Sequence, residues 1–236
     1  MRGFKRTWGW LFLTSMALIV AGCASIDPQA VQSQTRGKTI AVASALGPEL
    51  NLTWVGTTIF NNQFGTRPVP DWRIDEQVAI YVSQSLTSGQ RYAAVNVLQG
   101  VSRKGNTVPV LPAGTTADFL LLIEQYDADD PIWNTNQSFK GLGIAQRTFM
   151  GLAPPAHGHV GVTIELFDML KGASVGRSSE FENWPINFRL SSGGTASLTT
   201  SPAPLVKDSD LETLREPMLD RLRATLEKLL GEMGLR

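Results

Sequence analysis

One cysteine in 236 residues leaves the chain no disulfide framework and no second thiolate for a cysteine-based metal cluster. Two histidines give imidazole chemistry little room. An excess of one charge sign is also missing. The 21 basic side chains stand against 21 acidic ones, whereas a nucleic-acid binder needs a basic stripe, so no nucleic-acid partner is expected. There is no phosphate-cradling G-x-x-x-x-G-K-[ST] loop and no S-x-x-K pair. What remains is ordinary for a folded chain: 42% hydrophobic residues and a length that buries a core without staples, as one domain or at most two small ones.

The lone cysteine has a clear context. Arg2, Lys5 and Arg6 open the chain, and no acidic residue precedes Asp27. An apolar run over residues 8–20 follows, broken only by Gly9, Thr14 and Ser15. It is too short for a membrane-spanning helix of about 20 residues, but it suits a secretory signal. Val20, Ala21 and Gly22 then lead into Cys23. Small residues suit a signal peptidase pocket, and a cysteine directly after them resembles the bacterial lipobox, in which the thiol is acylated. The resemblance implies a signal peptide over residues 1–22 and a membrane anchor, palmitate-like, on Cys23. Ala24 rather than Asp follows the cysteine, which by the same resemblance implies the outer membrane, facing the periplasm. Cleavage removes three positive charges and leaves a net charge of −3, so the lipid rather than the protein surface would do the anchoring.

Residues 24–37 are polar, with Ile26 and Val31 their only sizeable apolar members. With Cys23 they read as a lipidated flexible tether over 23–37. The fourteen residues after the cysteine reach at most about 45–50 Å, enough to hold the domain clear of the headgroups. A single domain is expected over 38–236. Residues 39–46 and 52–60 read as strands, and a helix capped by Asp71 should run to Gly89. A strand over 92–98 and a central strand over 117–126, apolar on both faces from Phe119 to Ile123, come next. Residues 159–167 alternate, so they predict a strand with one wet face; residues 173–181 return as its hairpin partner. Residues 189–207 look irregular. The chain ends in an amphipathic helix, capped by Asp208 or Ser209, that Pro217 should kink or restart. The fold class is α+β: helices packed on a mostly antiparallel sheet.

His157 and His159 share a strand face and could begin a metal site, but the third ligand would have to be Glu165 or Asp127. Glu124, Asp127, Asp129 and Asp130 are more simply read as solvating the end of a strand than as calcium ligands or paired glycosidase carboxylates. No catalytic residue, metal or cofactor is expected. Residues 131–155 form a long connection rich in Trp, Phe, Met and Leu, interleaved with Lys140 and Arg147. It is too apolar for a solvated linker; either it folds back over the sheet or it binds a partner through Trp133, Phe139 and Phe149.

The lipobox, the polar stretch, TIAVASAL, the helix from Asp71, ADFLLLIEQYDAD and VTIELFDMLKGASVGRSSEF together resemble a group of bacterial lipoproteins. Their domain is like the curli secretion channel, the penicillin-binding-protein activator and the TolB amino-terminal domain. The resemblance implies an assembly or accessory factor rather than an enzyme, acting on an envelope protein or as a homo-oligomer. A channel would need long alternating membrane hairpins, and no convincing pair is present. The expected function is that of a non-enzymatic outer-membrane lipoprotein. The alternatives are a subunit of an export or transport machine and a periplasmic hydrolase or metal-dependent enzyme using His157 and His159.

Overall fold

The computed structural model describes residues 26–58, 61–105, 107–150, 152, 154–193 and 203–236. Val20, Ala21, Gly22 and Cys23 lie outside the described residues. The class is α+β, as expected: a large mixed sheet with helices on one face. Its organising strand is β9 (His157–Asp168). Along one edge β9 pairs with β10 (Ala173–Pro185) over its whole length. Along the other edge it meets two strands end to end: β8 (Leu142–Arg147) against residues 157–160 and β5 (Phe119–Gln125) against 162–168. The next row repeats the arrangement, with β1 (Thr39–Ala45) beside β5 and β2 (Glu49–Val55) beside β8. β4 (Ala94–Leu98) flanks β1, and β3 (Gln63–Pro68) flanks β2. Four pairings in this sheet are antiparallel and three parallel, so the antiparallel majority is narrow.

The two rows break at the same level. Gly47, at φ +83°, separates β1 from β2. Between β5 and β8 the chain leaves the sheet and forms a hairpin of its own, β6 (Asp127–Asp129) with β7 (Ser138–Lys140). Gly141, at φ +57°, returns it, and its carbonyl accepts the Gly161 N–H at 2.8 Å. A Cβ on Gly161 would stand 2.8 Å from the Tyr126 carbonyl, so only glycine allows the chains to approach this closely.

The helices cover one face. α2 (Ile74–Ser88) packs on β1 and β4, and α3 (Asp208–Glu232) packs on β9 and β10. Val42, Leu121, Val162, Ile164 and Leu226 meet in the core between them. The expected kink is absent: α3 runs unbroken through the exposed Pro217, because its packed residues 211, 214, 218, 222 and 226 hold both halves to one sheet surface. Neither Asp208 nor Ser209 caps it, Lys207 standing at that position, and Asp71 lies in a 3-10 turn ahead of α2. No described helix is long and apolar enough to cross a membrane.

Three further expectations are corrected. Residues 28–35 are not a flexible tether but a helix, α1 (Pro28–Thr35). Asp27 caps it by accepting from the Gln29 and Ala30 N–H groups, Pro28 opens it, and Val31 and Thr35 are buried. β9 has no wet face either. His159, Thr163 and Glu165 are buried because the segment 99–117 and the β6–β7 hairpin close the second face. Ala41, Ala43, Leu120, Leu122 and Phe167 form a smaller core beneath Val101, Val108 and Leu111. Finally, residues 131–155 are not one loop, since β7 and β8 lie within them and Leu142 and Ile144 are core residues.

Candidate functional site

The second face of the sheet holds most of the polar side chains singled out from the sequence. His159 is fully enclosed. Its ring stacks on Phe181, with centroids 5.4 Å apart, and lies 5.6 Å from the Phe139 ring. Nδ1 is 3.3 Å from the Gly141 carbonyl, and Nε2 has no partner. Burial lowers its pKa to about 4, against a small opposing effect of the Gly141 carbonyl. At neutral pH it is therefore an uncharged ring in an aromatic box. His157 is half-buried under Trp133, with centroids 5.7 Å apart, and its Nδ1 is 3.2 Å from the Asn183 Oδ1. Among the described residues no group of three or more His, Cys, Asp or Glu is arranged to hold a metal ion.

The acidic cluster disperses. Asp127 and Asp129 stand exposed on β6. Asp130 organises the turn beyond it, accepting from the Ile132, Trp133 and Thr135 N–H groups at 2.8–2.9 Å and from the Thr135 hydroxyl. Glu124 belongs to an ion network that the sequence did not reveal. Arg103, from the covering segment, contacts Glu124 at 2.8 Å and Glu165 at 2.7 Å, and Arg177 stands 3.9 Å from Glu165. Burial raises the Glu124 pKa, partly offset by Arg103. One arginine thus ties the 99–117 segment to two strands. Glycine-serine spacing of the G-x-S-x-G kind occurs at Gly172–Gly176, but it enters β10 of a hairpin rather than turning a strand into a helix. Ser174 is therefore not presented as a nucleophile.

A cleft of about 410 Å³ opens where β1 and β4 end and α2 begins. Its charged side chains already have partners. The Asp75 carboxylate accepts from the Ser44 hydroxyl at 2.6 Å and from the Leu46 and Gly47 N–H groups, fixing the β1–β2 turn. Arg73 pairs with Glu76. The cleft is a junction of β1, β4 and α2 whose charged side chains pair within the fold.

The exposed apolar groups lie elsewhere. Beyond β8 the chain makes a tight turn closed by two hydrogen bonds of 2.9 Å between Phe149 and Leu152, with Met150 at φ +50°. Phe149, Met150 and Leu152 are 53%, 78% and 72% exposed, and the Arg147 guanidinium lies 5.8 Å from the Phe149 ring centre. Of the three aromatic residues expected at a partner contact, only Phe149 is largely exposed. Phe139, 1% exposed, is a core residue of the box around His159, so it offers no surface to a partner, contrary to the expectation. Trp133 packs edge-on to Phe139 at 5.8 Å. Met150 and Leu152 take their places at the surface.

No family model matches this chain, and no curated protein matches it. Among solved structures, the crystal structure of protein XCC0632 from Xanthomonas campestris, of the DUF330 family, is similar over 84% of this chain and 86% of that one, at 11% identity and a TM-score of 0.40. A likeness that loose carries neither fold nor function over to this chain.

Proposed function

We propose that the protein is a non-enzymatic lipoprotein, anchored in the outer membrane through Cys23, that works as an accessory or assembly factor by seating the Phe149–Leu152 turn in another envelope protein. The observation that carries this reading is the turn itself: three large apolar side chains held in solvent by a hydrogen-bonded backbone. Apolar groups grouped at one exposed point are what partner contacts use. A turn of this size buries well below the roughly 800 Å² per side of a standard stable interface, so it would be the apolar tip of a small contact. The chemistry elsewhere agrees with a binding role, because His157, His159, Glu124, Asp130, Glu165 and Asp75 make contacts within the fold.

The test is a photo-crosslinking residue at position 150 in cells, compared with one at exposed Val110. A discrete adduct with an envelope protein from position 150, lost in the Phe149→Ser, Leu152→Ser double variant at unchanged melting temperature, is the expected result. Adducts equal at both positions, or an adduct that survives the double variant, would remove the turn from the contact.

A further inference from the structure

The helix found in place of a flexible tether changes where the domain stands. Ile26 packs against the core, lying over Gly176 beside the Met233 methyl. The Pro28 backbone fits closely against Gly234, and Val31 is buried behind it. The fold therefore holds the chain from Ile26 onward. Between Ile26 and the lipidation cysteine stand only Ala24 and Ser25. Three steps of at most about 3.6 Å allow Cys23 no more than roughly 11 Å from Ile26, where the sequence alone allowed a leash four times longer.

The leash leaves from one end of the sheet. Gly176 pairs with Leu166, two residues before β9 ends at Asp168. The β9–β10 turn beyond it projects Leu170, 94% exposed, with exposed Lys171 next to it. Arg36 and Lys38, also exposed, lie where α1 passes into β1, whose start is level with the same turn through β5. Lys38 and Leu170 line a common shallow recess. Lys38 pairs with Asp118 at 3.8 Å and Lys171 with Asp168 at 2.9 Å, so this end carries both charge signs, and it is the protruding leucine together with the short leash that suits the headgroup layer.

We infer that this end of the domain rests on the bilayer, with Leu170 of the β9–β10 turn entering the headgroup layer and Lys38 and Lys171 flanking it. The inference rests on the lipidation of Cys23 and adds an orientation to it. β9 spans about 36 Å at 3.3 Å per residue, and β8 carries the chain four residues beyond the partner of His157 before reaching Phe149. The Phe149–Leu152 turn therefore points away from the membrane, toward a partner in the periplasmic space.

The experiment uses the full acylated protein in vesicles of phosphatidylethanolamine and phosphatidylglycerol carrying a lipid-borne fluorescence quencher. Cys23 is the chain's single cysteine and is blocked by its thioether, so Leu170→Cys or Met150→Cys supplies the one free thiol for a fluorophore. Lys171→Cys gives a second label at the same turn. The labels at 170 and 171 should be quenched several-fold more than the label at 150. A flexible spacer of about 12 residues between Ser25 and Ile26 should abolish that difference while leaving the protein on the vesicles, since it adds roughly 20 Å of mean reach. Equal weak quenching at 170 and 150 in vesicle-bound protein would overturn the orientation alone. Protein that fails to stay on vesicles, with an unacylated terminus by mass spectrometry, would overturn the lipidation and the orientation with it.

Discussion

Replacing His159 with leucine should make the protein more tolerant of mild acid. In the folded chain the imidazole lies between Phe139 and Phe181 with Nε2 unpartnered, and burial lowers its pKa to about 4 from an ordinary value of 6.5. As pH falls below 6.5 the unfolded chain takes up a proton that the folded chain refuses. The stability that the neutral ring allows is therefore complete above pH 6.5 and is lost progressively down to pH 4. At about 1.4 kcal/mol per pH unit, the wild type should lose about 2 kcal/mol between pH 7.5 and pH 5 that a His159→Leu variant does not lose. Carboxylates titrate over the same range, but they do so in both chains and cancel in the difference. The substitution leaves little unsatisfied, because the Gly141 carbonyl keeps its 2.8 Å bond from Gly161. Urea unfolding of both chains at pH 7.5, 6 and 5 gives the comparison. If the two stabilities fell in parallel, the ring would be accepting its proton within the fold, and the enclosed, neutral imidazole described here would be refuted.

Two further perturbations probe the covering segment and the long helix. Arg103→Met should destabilise the fold by about 3 kcal/mol at pH 7.5, because it leaves half-buried Glu124 and buried Glu165 side by side with only Arg177, 3.9 Å from Glu165, as a more distant cation. The loss should shrink by pH 5 in denaturant titrations, since without the lowering effect of Arg103 the Glu124 pKa, already raised by burial, rises further and the variant's folded state takes up a proton that the wild-type fold takes up only at lower pH. Pro217→Ala should stabilise by about 2 kcal/mol, as a regained helix hydrogen bond outweighs the lost stiffness of the unfolded chain; a melting temperature unchanged or lowered would show that proline fits this helix without cost.

The strands and helices that the sequence made legible are those whose burial is written in a single local period. Residues 119–123 are apolar without interruption, and the reason is the one anticipated: Leu121 faces the helix-side core while Leu120 and Leu122 face the smaller one. The β9–β10 hairpin likewise follows from alternation and a Lys171-Gly172 turn. β9 was nonetheless misread on one face, because polarity at 159, 163 and 165 looks like solvation until the chain that covers it is known. That cover comes from Arg103, Val101 and Phe139, which are distant in sequence from β9 and carry no period of their own. β8 stayed hidden for a related reason. Gly141 and Gly143 look like loop residues, and only the register with Asn51 and His159 shows that close strand approach requires a glycine at 143.

The site residues divide along the same physical line. An apolar side chain in a long connection has the same letter whether it is buried or exposed, so Phe139 and Phe149 were indistinguishable until β7 and β8 drew one inward and the turn at 150 pushed the other out. The first helix is different, because its signal was present. Asp27 followed by Pro28 is a capping residue before a proline at the first helical position, and Val31 and Thr35 lie four residues apart on one face. Composition argued for disorder over those residues while local order argued for a helix, and eight residues are too few to be helical without a surface to pack on. The surface is supplied just after α3, where the Pro28 backbone fits against Gly234, while Ile26 ahead of the helix lies over Gly176 of β10 and Val31 joins the core. A stretch that would be a free leash in an isolated peptide is thereby made part of the domain. Its effect is to shorten the connection to Cys23 from fourteen intervening residues or fewer to two, and a connection of two residues transmits orientation where one of fourteen transmits only proximity.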